Sequence, residues 1–261
     1  MTQSIQGKAI LKDISVDIQK GRLTSLIGPN GAGKSTLLSA ISRIIEHDSG
    51  AIELEDIDIA AYRKNLLAQK LSILKQTNHT DMNITVEQLV NFGRFPYSKG
   101  RMKEADYEQV DYAINLLHLE DIRQRDLKTL SGGQRQRAYI AMTIAQNTDY
   151  ILLDEPLNNL DMKHSVQIMQ TLRRLCRELN KTIVIVLHDI NFASCYSDDI
   201  IALKDGELDE AERSSKDIAN LLESKPIDTI SPLDISASLE NFQEVLIYDH
   251  NGKKLFQTAN N

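Results

Sequence analysis

The chain has 261 residues, 41% of them hydrophobic and 26% charged, with a formal net charge of −7. That length is ample for a buried core in one or two domains, and the acidic balance argues against a nucleic-acid binder that relies on a strongly basic face. No run approaches the roughly 20 apolar residues that cross a bilayer. The segment from Met1 to Lys12 lacks the apolar centre of a secretory signal. The chain is therefore expected to stay in the cytoplasm, and any membrane role requires a partner. Cys176 and Cys195 stand in no metal or redox spacing, which predicts two reduced thiols.

In chain order, Leu23 to Ile27 reads as a buried strand followed by a Gly-rich turn. Lys34 to Ile45 predicts a helix with Leu37, Leu38, Ile41, Ile44 and Ile45 on one face. Ala51 to Ile59 alternates apolar and acidic residues, as an antiparallel strand or hairpin would, and Leu71 to Leu74 is a short strand ending at Gln76. Thr85 to Leu127 reads as mostly helical. Leu130 to Gln134 is a turn leading into a helix from Arg135 to Ala145. Tyr150 to Leu153 and Thr182 to Leu187 are apolar strands. Between them, Met162 to Leu179 is a helix with Val166, Met169, Leu172, Leu175 and Leu179 inward. Strand–helix–strand alternation of this kind predicts an α/β fold with a parallel sheet covered by helices. From Gly206 onward the composition turns polar. A short helix is expected to run to Leu222, and a hairpin is expected around Asn251-Gly252, flanked by Val245 to Tyr248 and Lys254 to Phe256.

Three motifs carry chemistry. Gly28-Pro29-Asn30-Gly31-Ala32-Gly33-Lys34-Ser35 matches the P-loop pattern, between a predicted strand and a predicted helix. Its glycines let successive N–H groups curl toward phosphate oxygens, and the helix adds its positive end. Lys34 brings a charge to the β- and γ-phosphates, and Ser35 offers a hydroxyl to Mg²⁺. The strand from Tyr150 ends in Asp154-Glu155. Beside a P-loop, Asp154 suits the Mg²⁺ shell and Glu155 is placed to polarise water. Leu130-Ser131-Gly132-Gly133-Gln134 puts paired glycines ahead of a helix, a second anion cradle upstream of the acidic strand.

At this point the chain resembles the ABC (ATP-binding cassette) ATPase family, in which LSGGQ is the signature motif. The resemblance covers at least Ala9 to Gly206. It implies a P-loop NTPase with a RecA-like parallel-sheet core, an antiparallel β subdomain and a helical subdomain at about 85–149. Residues 1–206 then form the ATPase domain and 207–261 a small C-terminal appendage. ATP is held by Gly28 through Thr36, and Mg²⁺ by Ser35, Gln76 and Asp154. Glu155 and the switch histidine His188 are catalytic, and Asn158-Asn159-Leu160-Asp161 stands in the D-loop place, where SALD is commoner. The signature residues Leu130 to Gln134 act in trans, over the ATP of a second subunit.

The segment Phe92-Gly93-Arg94-Phe95-Pro96-Tyr97 is similar to one in the importer branch serving iron-siderophores, haem and cobalamin. Within that branch the chain looks most like the ferric catecholate-siderophore ATPases. The implied assembly is a homodimer at the cytoplasmic face of the membrane, under two transmembrane permease subunits. An extracellular substrate-binding protein reaches it through the permease, and no nucleic acid takes part. The competing reading, a non-transport ABC ATPase acting on DNA or ribosomes, calls for long coiled-coil insertions or tandem cassettes, and this chain has neither. One departure stands out. The family places an adenine-stacking aromatic residue after an N-terminal strand, whereas the corresponding position here is Ile5 and the strand before it reads as largely absent. Either apolar contact alone holds the adenine or the true start lies upstream.

Overall fold

A computed structural model describes residues 1–76 and 83–208, together with the backbone of two strands at 246–248 and 254–257. The expected helix ending at Leu222 and the turn at Asn251-Gly252 lie outside the described residues. The strands flanking that turn, Leu246–Tyr248 and Lys254–Gln257, do pair antiparallel.

The chain opens with β1 (Gln3–Ile5) and β2 (Lys8–Leu11), an antiparallel hairpin in which Ile5 faces Lys8. The sequence reading that this first strand is largely absent is thereby corrected. Gln6 and Gly7 both have positive φ, so the turn takes two residues and three suffice for β1. β3 (Leu23–Ile27) leads through the P-loop into α1 (Lys34–Ile41). β4 (Glu53–Leu54) and β5 (Ile57–Asp58) form the hairpin expected between Ala51 and Ile59. Its turn is Glu55-Asp56, both at positive φ. An isolated bridge from Thr2 to Ser49 ties the two hairpin regions together.

α2 (Lys64–Lys70) precedes β6 (Leu71–Leu74). The helical region follows as α3 (Val86–Phe92), α4 (Phe95–Ser98), α5 (Glu104–Leu116) and α6 (Gly132–Ala145). β7 (Tyr150–Asp154), α7 (Met162–Leu179), β8 (Thr182–Val186), α8 (Ile190–Tyr196), β9 (Asp199–Lys204) and β10 (Glu207–Leu208) complete the core.

The central sheet runs β10-β9-β3-β8-β7-β6, parallel except for β10. Its middle strands are buried on both faces, and successive residues feed opposite cores. Ile151, Leu153, Ile183 and Ile185 pack with α7 and the helical region, whereas Leu152, Val184 and Val186 pack with α1 and the β4–β5 hairpin. In such sheets ligands bind beyond the carboxyl ends of the strands. The P-loop after β3, the acid pair at the end of β7 and the histidine after β8 therefore meet at one edge, because their strands are neighbours.

Two helices differ from expectation. α1 stops at Ile41 rather than Ile45, since Arg43 turns to φ 58 and its guanidinium donates to the Ile59 and Tyr62 carbonyls at 3.0 and 2.7 Å. Ile44 is consequently exposed instead of facing inward. On α7, Met169, Leu172 and Leu175 are buried as expected, but Leu179 is exposed at the helix end. Cys176 is buried on that helix, and burial pushes its thiol up to about 12.

Candidate active site

The P-loop is shaped by backbone that approaches too closely for side chains. A Cβ on Gly28 would stand 2.0 Å from the Leu203 carbonyl oxygen, and one on Gly33 would stand 2.7 Å from Leu11 Cδ2 at a φ of 101°. Gly33 is the N-cap of α1 and has no side chain to spend on capping, so the first N–H groups of that helix remain available to an anion.

Lys34 is buried, and its Nζ donates to the Gly28 and Pro29 carbonyls at 2.8 and 3.0 Å. Burial pushes its ammonium below the usual lysine range, against the pull of Glu155 and Asp154. Ser35 Oγ donates to Asp154 Oδ1 at 2.9 Å. Burial raises the Asp154 carboxyl, and the Ser35 hydroxyl partly offsets this.

Glu155 sits at φ 50, a left-handed backbone that turns its side chain back into the cleft. Its carboxylate is 9% exposed and holds three partners. His188 Nε2 lies 2.7 Å from Oε1, while Gln76 Nε2 and Asn158 Nδ2 donate to Oε2 at 2.6 and 2.7 Å.

Gly33, Lys34, Ser35, Gln76, Glu155 and His188 wall a cleft of about 750 Å³ that also includes Asn30, Gly31 and Thr36, with Ile5, Gln6, Lys8 and Ile10 on its N-terminal side. Ile5 is 45% exposed there. Among the described residues lining the cleft none is Phe, Tyr or Trp, and none belongs to the segment Leu130–Gln134. Sequence reading did not single out Lys8 and Ile10. Their only signal is their place on the strand after Ile5.

The signature segment begins α6 directly, three residues before the expected start at Arg135. Ser131 is the N-cap: its Oγ accepts from the Gln134 N–H at 3.2 Å, and Gln134 Oε1 accepts from the Ser131 N–H at 3.1 Å. This capping box was readable from the S-x-x-Q spacing. It fixes the helix start and leaves the Gly132 and Gly133 N–H groups outside the helical ladder. Behind them packs the D-loop, whose Asn159 carbonyl oxygen would lie 3.1 Å from a Cβ on Gly133. Asp161 caps α7 by accepting from the His164 N–H at 2.9 Å, and Leu160 packs against the core.

The donors fit Mg²⁺ by their chemistry: a hydroxyl, a carboxylate and an amide side chain provide oxygens of the hard type. Among the described residues no group of three His, Cys, Asp or Glu could hold a metal ion.

The family model for ABC transporters matches residues 11–158. The petrobactin import ATP-binding protein YclP of Bacillus subtilis (strain 168) is 60% identical over 202 residues, which are 77% of this chain and 80% of that protein. The ferric enterobactin transport ATP-binding protein FepC of Escherichia coli (strain K12) is 38% identical over 218 residues, 82% of this chain and 80% of its own. Among solved structures, the dimeric post-hydrolysis state of the ATP-binding cassette MJ0796 bound to ADP and Pi has a TM-score of 0.73 at 32% identity. It covers 82% of this chain and 95% of that one. The chain belongs to the ABC transporter family as one of its ATP-binding subunits.

Proposed function

We propose that this chain is the ATP-hydrolysing motor of a ferric-siderophore importer. In this reading it works as a homodimer beneath two transmembrane permease subunits, at the cytoplasmic face, with an extracellular substrate-binding protein on the far side. The observation that carries hydrolysis is the convergence of Lys34, Ser35, Glu155 and His188 on one cleft, with Asp154 held directly behind Ser35 by a hydrogen bond. The P-loop N–H groups and Lys34 bind the triphosphate, Glu155 orients and polarises the attacking water, and His188 faces the terminal phosphate. Ser35, Asp154 and Gln76 would hold Mg²⁺, which supplies positive charge to the phosphates. Leu130 through Gln134 supply the missing wall from a second copy.

Import of an iron-siderophore is supported by the likeness to the petrobactin and enterobactin import proteins. A role beneath a permease is supported by the chain's own surface. Phe92, Phe95 and Tyr97 are exposed, as is Leu66 on α2. Tyr97 Oη donates to the Gln69 carbonyl at 3.1 Å, and Gln69 Nε2 donates to the Pro96 carbonyl at 3.0 Å, so α2 and α4, which carry exposed apolar side chains, are tied together. Exposed apolar patches rimmed by polar residues mark interaction sites. No helix among the described residues is long and apolar enough to cross a membrane.

The test is complementation. In a Bacillus subtilis strain lacking YclP, this chain should restore uptake of ⁵⁵Fe-loaded petrobactin, and its Lys34→Ala variant should not. A chain that hydrolyses ATP normally yet restores no siderophore uptake would reject the substrate class.

A further inference from the structure

An ionised carboxylate has about four lone-pair positions on its two oxygens. On Glu155, Gln76 and Asn158 take both positions on Oε2, and His188 takes one on Oε1. A single acceptor position remains, on Oε1, beside His188 at the cleft. Fixing Oε2 therefore decides which oxygen meets water.

The donors differ in how firmly they are held. Gln76 reaches Glu155 from the end of β6, across 79 residues of chain, and His188 comes from beyond β8. Asn158 is built into the same turn as the carboxylate. Its backbone N–H donates to the Glu155 carbonyl at 3.3 Å while its side chain lies back on Oε2 at 2.7 Å. The turn is braced from behind by the first turns of α6. Gln136 Nε2 donates to the Pro156 carbonyl at 3.0 Å, and the Gly132 and Gly133 backbone lies close under Asn159.

We propose that Asn158 is a positioning residue for hydrolysis: its amide holds Oε2 of Glu155 and so presents Oε1 to the attacking water. It acts through Glu155 and lines no part of the nucleotide cleft itself. Its side chain bonds a group used in turnover and no described P-loop residue, so its loss shows in kcat rather than in nucleotide binding. The inference rests on Glu155 being the base.

The experiment is steady-state ATP hydrolysis by Asn158→Ala, Asn158→Ser and Asn158→Asp, with Glu155→Gln alongside. Asn158→Ala should lose about 10-fold in kcat, as for one hydrogen bond to an ionised group, with KM for ATP changed less than about twofold. Asn158→Ser keeps a hydroxyl donor and should recover part of that loss. Asn158→Asp has the same shape but sets a second carboxylate against the first, so it should fall below Asn158→Ala. A merely structural role would rank Asp with Asn, because both favour the same turn. Asp equal to wild type, or all three variants within about twofold of wild type, would overturn the proposal. So would a loss that appears in KM alone. ATP-driven dimerisation in the Glu155→Gln background should be unchanged by adding Asn158→Ala. A matching loss of dimer would place Asn158 at the interface instead and overturn the positioning role. Wild-type turnover in Glu155→Gln would sink the assignment of the base itself, a result separable from normal Asn158 variants beside an inactive Glu155→Gln.

Discussion

On the proposed reading a nucleotide base meets the N-terminal wall of the cleft at Ile5, where the described lining offers aliphatic carbon from Ile5 and Ile10 but no Phe, Tyr or Trp. Base–aromatic stacking is worth about 1–3 kcal/mol. Aliphatic contact recovers part of this and reads no base, so ATP and GTP should bind with similar affinity. Ile5→Tyr should tighten ATP binding by a few-fold to about a hundredfold in a nucleotide titration. Strong ATP preference in wild type with no gain from Tyr would locate the base elsewhere. At the other end of the cleft, Glu155→Gln should keep ATP binding and cut turnover by about 10²–10⁴, the span for losing a general base. Lys34→Ala should weaken binding itself, seen in the same titration, because it removes a phosphate-directed charge. Lys34, Ser35, Asp154, Glu155 and His188 were legible in the sequence because each belongs to a motif that follows an apolar run readable as a strand. The Asn158 bond was not. It depends on left-handed backbone at Glu155, which a glutamate does not announce.

Among the elements, the segment that marked the importer branch proves to be a fastening. Arg94 is buried, and its Nε pairs with Asp106 Oδ1 on α5 at 3.0 Å. Its Nη1 donates to the Ala145 and Gln146 carbonyls at 2.9 and 3.2 Å, capping the carboxyl end of α6. The guanidinium also lies 4.1 Å from the centre of the Tyr97 ring. Gly93 is required beside it, since a Cβ would stand 2.2 Å from the Met142 carbonyl oxygen. One arginine thus joins α4, α5 and the signature helix. Burial alone would raise the Asp106 carboxyl, but the Lys103 N–H and Arg94 hold it below the usual carboxylate range. A depressed folded-state value contributes stability above the unfolded value and loses it as pH falls through the folded one. Asp106→Asn should therefore destabilise the chain at pH 7, toward the lower end of the about 3–5 kcal/mol for breaking a buried pair. In denaturant melts the gap to wild type should close below about pH 4. A gap that is constant with pH would mean that the charge is not what matters. The sequence showed Gly93-Arg94 as a family mark but gave no sign of its bonds, because Asp106 and Ala145 come to it only through tertiary packing. The stop of α1 at Ile41 was hidden for a similar reason: Arg43 breaks the helix by reaching carbonyls of Ile59 and Tyr62, with no glycine or proline to signal it.

At the scale of the molecule, the parallel core was the most readable feature, since continuous apolar runs such as Ile183 to Leu187 have few other fates. The two cradles, one at Gly33 and one at Gly132, do not meet within the chain: the signature segment is absent from the described walls of the nucleotide cleft. Ser131→Arg should accordingly abolish hydrolysis while sparing ATP binding to the monomer. Mixing it with Lys34→Ala should restore some activity, because one site of the mixed dimer pairs an intact P-loop with an intact signature. No recovery, with mixed dimers confirmed by native mass spectrometry, would count against a shared site.

The separation of the two cradles also sets a law of mass action. If, as proposed, each chain carries half of each reaction centre, an isolated chain has no activity of its own. The rate per chain should climb with chain concentration and level off only as monomers run out. Its half-maximal point reads the dissociation constant of the closed pair, which nucleotide should tighten because the phosphates are the cement. Two permease subunits that each hold one copy would raise the local concentration above that point. On this account the membrane partners, by bringing the copies together, would set whether ATP is consumed at all.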